Sequence, residues 1–367
     1  MEPARTNRRS FITTCCAATG ITFLNGSSER YCRATGTEDF VRFGPSDLYV
    51  TRYCQGTAFR SKEVQRSNNP AARAILRRCL EVGINFFDSA EAYGWGGSEE
   101  VLGHVIAESG RRDQVIICTK AAPSGPPQGH PNANQFQLGD QIVFTRKTLF
   151  HKAEQSLNRL KTDYIDLYLL HGPDNSTPFD EIVDSMQTLV TSGKIRYWGV
   201  SNHSATQVAE IRNICHNSDA PTHFVGTEDY YNLTSGERTD PELHHVIREA
   251  DLGLLAFSPQ DTGILCPGRE GEAGKMRMSV IRVVDRVAQE LGATRPQVCI
   301  AWSLSNPAVT SVLGGAESPE HVAENFGGVS LKLPATALSD LNQVCEKYIE
   351  NRLIRIKQLA EESKKRT

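Results

Sequence analysis

The sequence predicts a (β/α)8 barrel over residues 39–348, and three observations carry that prediction. Eight short apolar runs recur between residues 53 and 313, mostly continuous rather than alternating, as suits parallel strands buried on both faces. The segments between them carry helix start signals. The runs end on polar residues, where barrels of this kind gather their chemistry. An open doubly wound sheet is the competing arrangement, and the absence of G-x-G-x-x-G after the first strand counts against its dinucleotide-binding form.

The expected strands are Tyr53–Gly56, Ile84–Phe87, Val115–Thr119, Ile165–Leu170, Tyr197–Val200, Phe224–Thr227, Leu254–Phe257 and Ser311–Leu313. Ahead of them, Phe40 to Val50 with Gly44-Pro45 at its centre reads as a hairpin closing the bottom of the barrel. Asn69-Pro70 offers a cap followed by proline at the first helical position, where a missing N–H costs nothing. Behind it Ala71, Ile75, Cys79 and Val82 fall on one helical face. Thr177 to Asp180, Ser204 to Gln207 and Thr294 to Gln297 resemble capping boxes. Residues 349–367 read as a C-terminal helical tail with a basic end, packed on the barrel.

Residues 1–38 stand apart. Arg8-Arg9, then Phe11 and a mildly apolar run to Leu24, resemble a twin-arginine export signal. Asn7 in place of the usual Ser or Thr and the lack of an A-x-A site speak equally for a disordered tail. Residues 25–38 read as a linker.

A net charge of −3 with 23% charged residues gives no reason to expect nucleic acid or an anionic membrane as partner. No apolar run reaches the ~20 residues of a spanning helix. The ten cysteines are scattered, with no C-x-x-C pair and no histidine spacing suited to zinc. They are expected to be mostly free thiols in a protein without a metal site that folds in a reducing compartment. The expected location is cytoplasmic, or exported already folded if the N-terminus is a signal.

The segment from Gly83 to Gly103, GINFFDSAEAYGWGGSEEVLG, organises the chain. It reads as a strand ending on Asp88, a turn carrying Tyr93, and a helix. VIICTK ends on Lys120 and IDLYLLH on His171. Each residue alone has an ordinary explanation: a capping aspartate, a half-buried tyrosine, a snorkelling lysine, a structural histidine. Delivered together from successive strand ends, they form a constellation suited to proton transfer. In the contexts FDSAEAYG, ICTK and LLHGPD, the chain resembles the aldo-keto reductase family over roughly residues 40–346.

The resemblance implies catalytic Asp88, Tyr93, Lys120 and His171. Hydride reduction of a carbonyl creates an alkoxide that must be protonated, and a phenol of pKa ~10 is a poor acid near neutrality. Lys120 is expected to lower that pKa, Asp88 to anchor Lys120, and His171 to hold the carbonyl oxygen or share the proton. NADP(H) is the implied cofactor, with NAD(H) the alternative. Thr57, Ser201, Asn202, Glu228, Phe257, Ser258, Gly315, Ser318, Glu324 and Asn325 match its binding positions. Ser201 and Asn202 are expected at the carboxamide, Phe257 against the ring, Ser258 near the pyrophosphate, and Glu324 and Asn325 at the adenine. Glu228 stands where the family typically has Gln, and a carboxylate cannot donate to the carboxamide oxygen. Glu317 is expected near a 2′-phosphate and weakens the preference for NADPH, with Arg269 or Lys275 as counterweights. The partner is a small-molecule carbonyl substrate, and the long loop from Ala121 to Thr145, with Phe136, borders its mouth together with Trp95. A catalytically weak nucleotide-binding sensor or regulatory subunit is the second reading.

Overall fold

The computed structural model describes residues 40–59, 69–123, 143–218, 221–235 and 241–364. Arg8-Arg9 and most of the loop after Lys120, Phe136 included, lie outside them. A short antiparallel hairpin, β1 (Phe40–Arg42) and β2 (Tyr49–Thr51), precedes eight parallel strands. These are β3 (Tyr53–Gly56), β4 (Phe86–Asp88), β5 (Ile116–Ala121), β6 (Ile165–Leu170), β7 (Ile195–Ser201), β8 (Phe224–Tyr230), β9 (Gly253–Phe257) and β10 (Ser311–Gly314). Each pairs with its sequence neighbour, and β10 closes on β3. The fold is a (β/α)8 barrel. β4 starts two residues later than the expected strand. Ahead of it the Asn85 carbonyl still accepts from Ile116 N at 2.7 Å, while its side-chain amide accepts from Thr51 N and donates to Tyr49 O, both at 2.8 Å, tying the hairpin to the barrel.

The helices are α1 (Pro70–Glu81), α2 (Gly97–Ser109), α3 (Arg146–Leu160), α4 (Phe179–Thr191), α5 (Ala205–His216), α6 (Pro241–Glu249), α7 (Glu270–Leu291), α8 (Arg295–Leu304), α9 (Pro319–Gly327) and α10 (Ala335–Lys364). Asn69 caps α1 as expected, and the capping boxes at Ser204 and Thr294 are both closed. The one at Thr177 is not. Pro178 holds the cap position there, and the Thr177 hydroxyl donates to Asp174 Oδ2 at 2.6 Å instead. The buried face of α1 is also rotated from the expected one, to Ala72, Ile75, Leu76, Cys79 and Leu80, leaving Ala71 exposed.

The hairpin plugs the N-terminal end of the barrel. Phe43 is buried edge-on against Phe86, with ring centroids 5.9 Å apart. It fits because Gly226 and Gly253 carry no side chains: a Cβ on either would sit 2.7–2.8 Å from the ring. Inside, Cys54, Phe86, Ile116, Cys118, Leu167, Leu169, Val225 and Leu255 fill the barrel. The plugged, packed bottom leaves the C-terminal ends of the strands as the place for chemistry. The C-terminal helix departs from expectation. It is a continuation of α10 that packs Ala337, Leu341, Cys345 and Tyr348 and then runs on with Leu353, Ile354, Ile356 and Leu359 exposed. Among the described residues no helix is long and apolar enough to cross a membrane, and no disulfide joins the cysteines.

Candidate active site

Lys120 is the centre of the site. Near the end of β5 its stem runs through the barrel interior, and the whole residue is inaccessible to solvent. Its ammonium is ion-paired with Asp88, the last residue of β4, and donates to Ser89 O at 3.0 Å and to the Tyr93 hydroxyl at 3.3 Å. From β8, Glu228 Oε2 approaches to 3.2 Å. Tyr93 rides on the turn between β4 and α2, pinned by hydrogen bonds from Tyr93 N to Ala90 O and from Ser98 N to Tyr93 O. Behind that turn lies a second buried pair, Glu91 with Lys152 at 2.5 Å, and Glu91 also accepts from Ala122 N at 2.6 Å. The His171 ring stands edge-on to Tyr93 at 5.5 Å. All four expected catalytic side chains therefore meet at one mouth.

The electrostatics depart from expectation in one respect. Burial pushes the Tyr93 phenol upward, Lys120 pulls it down, and Asp88 and Glu228 push it up again, with a net rise. Lys120 acts with the expected sign, but two carboxylates divide its charge. Burial works to neutralise Lys120, and Asp88 and Glu228 overcome it and hold the ammonium well above its ordinary range. Burial, aided by the Lys120 charge, lowers His171 to about 3, so its ring is neutral near pH 7. His203, buried and bonded to Ser201 O at 2.8 Å, is lowered by burial to about 4. Asp88, Cys118 and Glu228 also gather ligand-type atoms within 4.8 Å of one another, but the ammonium of Lys120 already supplies the positive charge beside both carboxyls.

The expected cofactor positions fall at or near the C-terminal ends of β3, β7, β8, β9 and β10, and on α9. Ser201 and Glu228 are register partners across β7 and β8. Asn202, exposed at φ 59°, donates to His171 O and Ser201 Oγ, both at 3.0 Å. Phe257 is half-buried, edge-on to Tyr230 at 5.4 Å. Ser258 follows it in the left-handed region at φ 57°. Gly315 is exposed with open space where a Cβ would stand. Ser318 caps α9, accepting from His321 N at 3.3 Å. Glu324 is half-buried on the same helix.

Two positions sit deeper. Thr57 is fully buried with its hydroxyl donating to Ser89 Oγ at 2.9 Å. Asn325 is held between Gln260 at 2.8 Å and the Tyr53 hydroxyl at 3.2 Å. The donor set fits a nicotinamide nucleotide. Glu228 Oε2 is a buried oxygen without a well-aligned hydrogen-bond donor, 3.2 Å from the Lys120 ammonium, and Gly315 leaves room beside the start of a nine-residue helix.

Sequence reasoning missed the contact of Glu228 with Lys120 and the grip of Ser89 on the ammonium. The first was open to inference, since an acidic residue near the end of the sixth barrel strand faces the same interior as Lys120. The second is a backbone contact with no signature in side-chain identity.

A sequence model described as "Aldo/keto reductase family" matches residues 54–346. A protein of Arabidopsis thaliana named "Probable voltage-gated potassium channel subunit beta" is 32% identical over 298 residues, covering 75% of this chain and 87% of its own length. One of the same name from Oryza sativa subsp. japonica is 32% identical over 276 residues, covering 70% and 80%. A matched span that takes in every barrel strand from Cys54 onward, on a closed eight-stranded parallel barrel, decides the matter: the chain belongs to the aldo/keto reductase family.

Proposed function

We propose that the chain is an NAD(P)H-dependent oxidoreductase that interconverts small aldehydes or ketones and their alcohols, with Tyr93 as general acid in reduction and base in oxidation. The observation that carries this is the Tyr93 hydroxyl 3.3 Å from the buried Lys120 ammonium, with His171 beside it. The bound nicotinamide supplies or accepts the hydride. Tyr93 enters reduction as a neutral phenol. An alkoxide is a stronger base than a phenolate, so the proton passes to it, and Lys120 stabilises the phenolate left behind. Neutral His171 offers a ring N–H to the carbonyl oxygen. Ser201, Asn202 and Glu228 are assigned to the carboxamide, Phe257 to the ring, and Ser258, Gly315 and Ser318 to the phosphates. Glu324 and Asn325 are assigned to the adenine, Asn325 through the hydrogen-bond positions that Gln260 and Tyr53 leave open. Thr57 shapes the wall beneath Ser89.

An aldehyde panel with NADPH or NADH tests this. Tyr93→Phe is expected to keep nucleotide affinity and lose turnover by about 10²-fold or more. Lys120→Met should behave alike, and the double variant should be little worse, because the two residues act as one unit. Turnover of Tyr93→Phe near the wild-type value would remove it from the acid role.

A second reading has one observation in its favour: the relatives above carry the name of a channel subunit. On it, the barrel is a nucleotide-binding regulatory subunit of weak activity with an ion channel as partner. Tight nucleotide binding without turnover of any aldehyde in the panel would favour it.

A further inference from the structure

The interior around Lys120 holds one cation and two carboxyls, and that imbalance bears on Glu228. Glu228 is 3% exposed, in register with Ser201, and its carbonyl accepts from Asn202 N at 3.2 Å. The groups that face it are Asp88 from β4, Lys120 and Cys118 from β5, Cys54 from β3 and Tyr93 from the turn before α2. From its own neighbours β7 and β9, the register partners Ser201 and Leu255 carry no titrating group. Burial keeps both thiols and the phenol neutral. The charged set is Lys120 against Asp88 and Glu228.

Two ionised carboxylates beside one ammonium would leave a net buried negative charge, which such a site avoids by retaining a proton. One oxygen of each carboxyl, Asp88 Oδ2 and Glu228 Oε2, lacks a well-aligned donor. The two carboxyls are within hydrogen-bond reach of each other. One shared proton supplies the missing donor. Burial, and then the charge of Asp88, push Glu228 well above the carboxylate range, while Asp88 draws more relief from Lys120. The proton therefore rests on Glu228.

A protonated Glu228 has a C=O acceptor and an O–H donor, the pair that a glutamine amide would present. It thus regains the donor that an ionised carboxylate lacks. Ionised, it presents a negative charge. A reduced nicotinamide ring is neutral and an oxidised one is cationic. Hydride and proton go to adjacent atoms of one carbonyl, so the reacting ring must lie beside Tyr93, and Tyr93 and Glu228 flank the same ammonium.

We propose that Glu228 reads the redox state of the nucleotide: it keeps the proton shared with Asp88 while the reduced ring is bound and releases it to solvent when the cationic, oxidised ring is bound. Only the Glu228 O–H bond breaks, and the proton passes to water. The inference rests on the nicotinamide-dependent reading above. The oxidised complex has the lower Glu228 pKa and the reduced complex the higher. Between the two values the oxidised complex carries one proton fewer, so rising pH favours oxidised over reduced nucleotide.

The test is binding, not turnover. The full chain is titrated with NADP+ and NADPH, and in parallel with NAD+ and NADH, from pH 6 to 9 by calorimetry in two buffers of different ionisation enthalpy. The ratio of reduced to oxidised Kd should climb with pH, by up to about tenfold per unit for one linked proton, with proton release on binding the oxidised form. Glu228→Gln should flatten the ratio, and Tyr93→Phe should retain the slope. Both nucleotides binding with a flat wild-type ratio would overturn this inference alone. A slope lost in Tyr93→Phe would assign the proton to the phenol and overturn it too, and this arm decides even if Glu228→Gln fails to fold. No binding of any nucleotide would overturn the nicotinamide reading along with it.

Discussion

At the scale of single residues, the proposed nucleotide site implies that cofactor choice depends on a few charges near the start of α9. Glu317 is exposed there, and its charge acts on Arg269. Arg269 is already committed: its Nε donates to Glu272 at 2.8 Å and its Nη1 to Thr262 O at 2.9 Å. Lys275 is exposed, just past the break in α7 at Gly274. A 2′-phosphate near Glu317 would meet one carboxylate and a shared guanidinium. Wild type should therefore use NADH and NADPH with kcat/KM values within about tenfold of each other. Glu317→Arg should favour NADPH by a further ~tenfold, the scale of one charge reversal near the surface. A strong NADPH preference in wild type that the substitution leaves unchanged would show that another group reads the phosphate.

At the scale of elements, the hairpin and the barrel divide the work. β1 and β2 contribute no residue to the mouth, yet Phe43 between them closes the opposite end against Phe86 and the bare backbones at Gly226 and Gly253. Gly44 makes the approach possible: at φ 55° it lies so close to Val225 O that a Cβ would stand 2.0 Å from it. Phe43→Ala should cost about 3–5 kcal/mol, the usual range for a buried phenylalanine, read as a lower urea midpoint. Nucleotide Kd should stay within about twofold, since the plug and the site lie at opposite ends of the strands. An unchanged midpoint would show that the plug adds nothing to stability.

At the scale of the whole molecule, α10 is anchored only through its first half. Tyr348 is its last buried residue, and its hydroxyl accepts from Arg352 Nη1 at 3.4 Å. From Leu353 to Lys364 every residue is exposed. A chain ending at Arg352 should melt within ~2 °C of the full protein, because removing exposed turns changes stability by only a few tenths of a kcal/mol. It should also keep its stabilisation by saturating nucleotide, about 2.7 kcal/mol at a hundred times Kd. A loss of more than ~5 °C on that truncation would show that the exposed turns are covered in solution.

Eight buried apolar runs separated by capped helices point to a parallel sheet covered on both faces, and the absence of G-x-G-x-x-G after the first run favours the closed barrel over an open doubly wound sheet. The ends of those runs place Asp88, Tyr93, Lys120 and His171 at one mouth by topology alone. Local signals worked at Asn69, Ser204 and Thr294, and failed where another local contact competed, as when Asp174, three residues back, took the Thr177 hydroxyl. Only the tertiary structure decided the charge state of the site. A pKa depends on burial and on distances between strands that are remote in sequence. Asp88, Lys120 and Glu228 come from three such strands, and their convergence divides the lysine's charge between two carboxyls, which no spacing along the chain encodes.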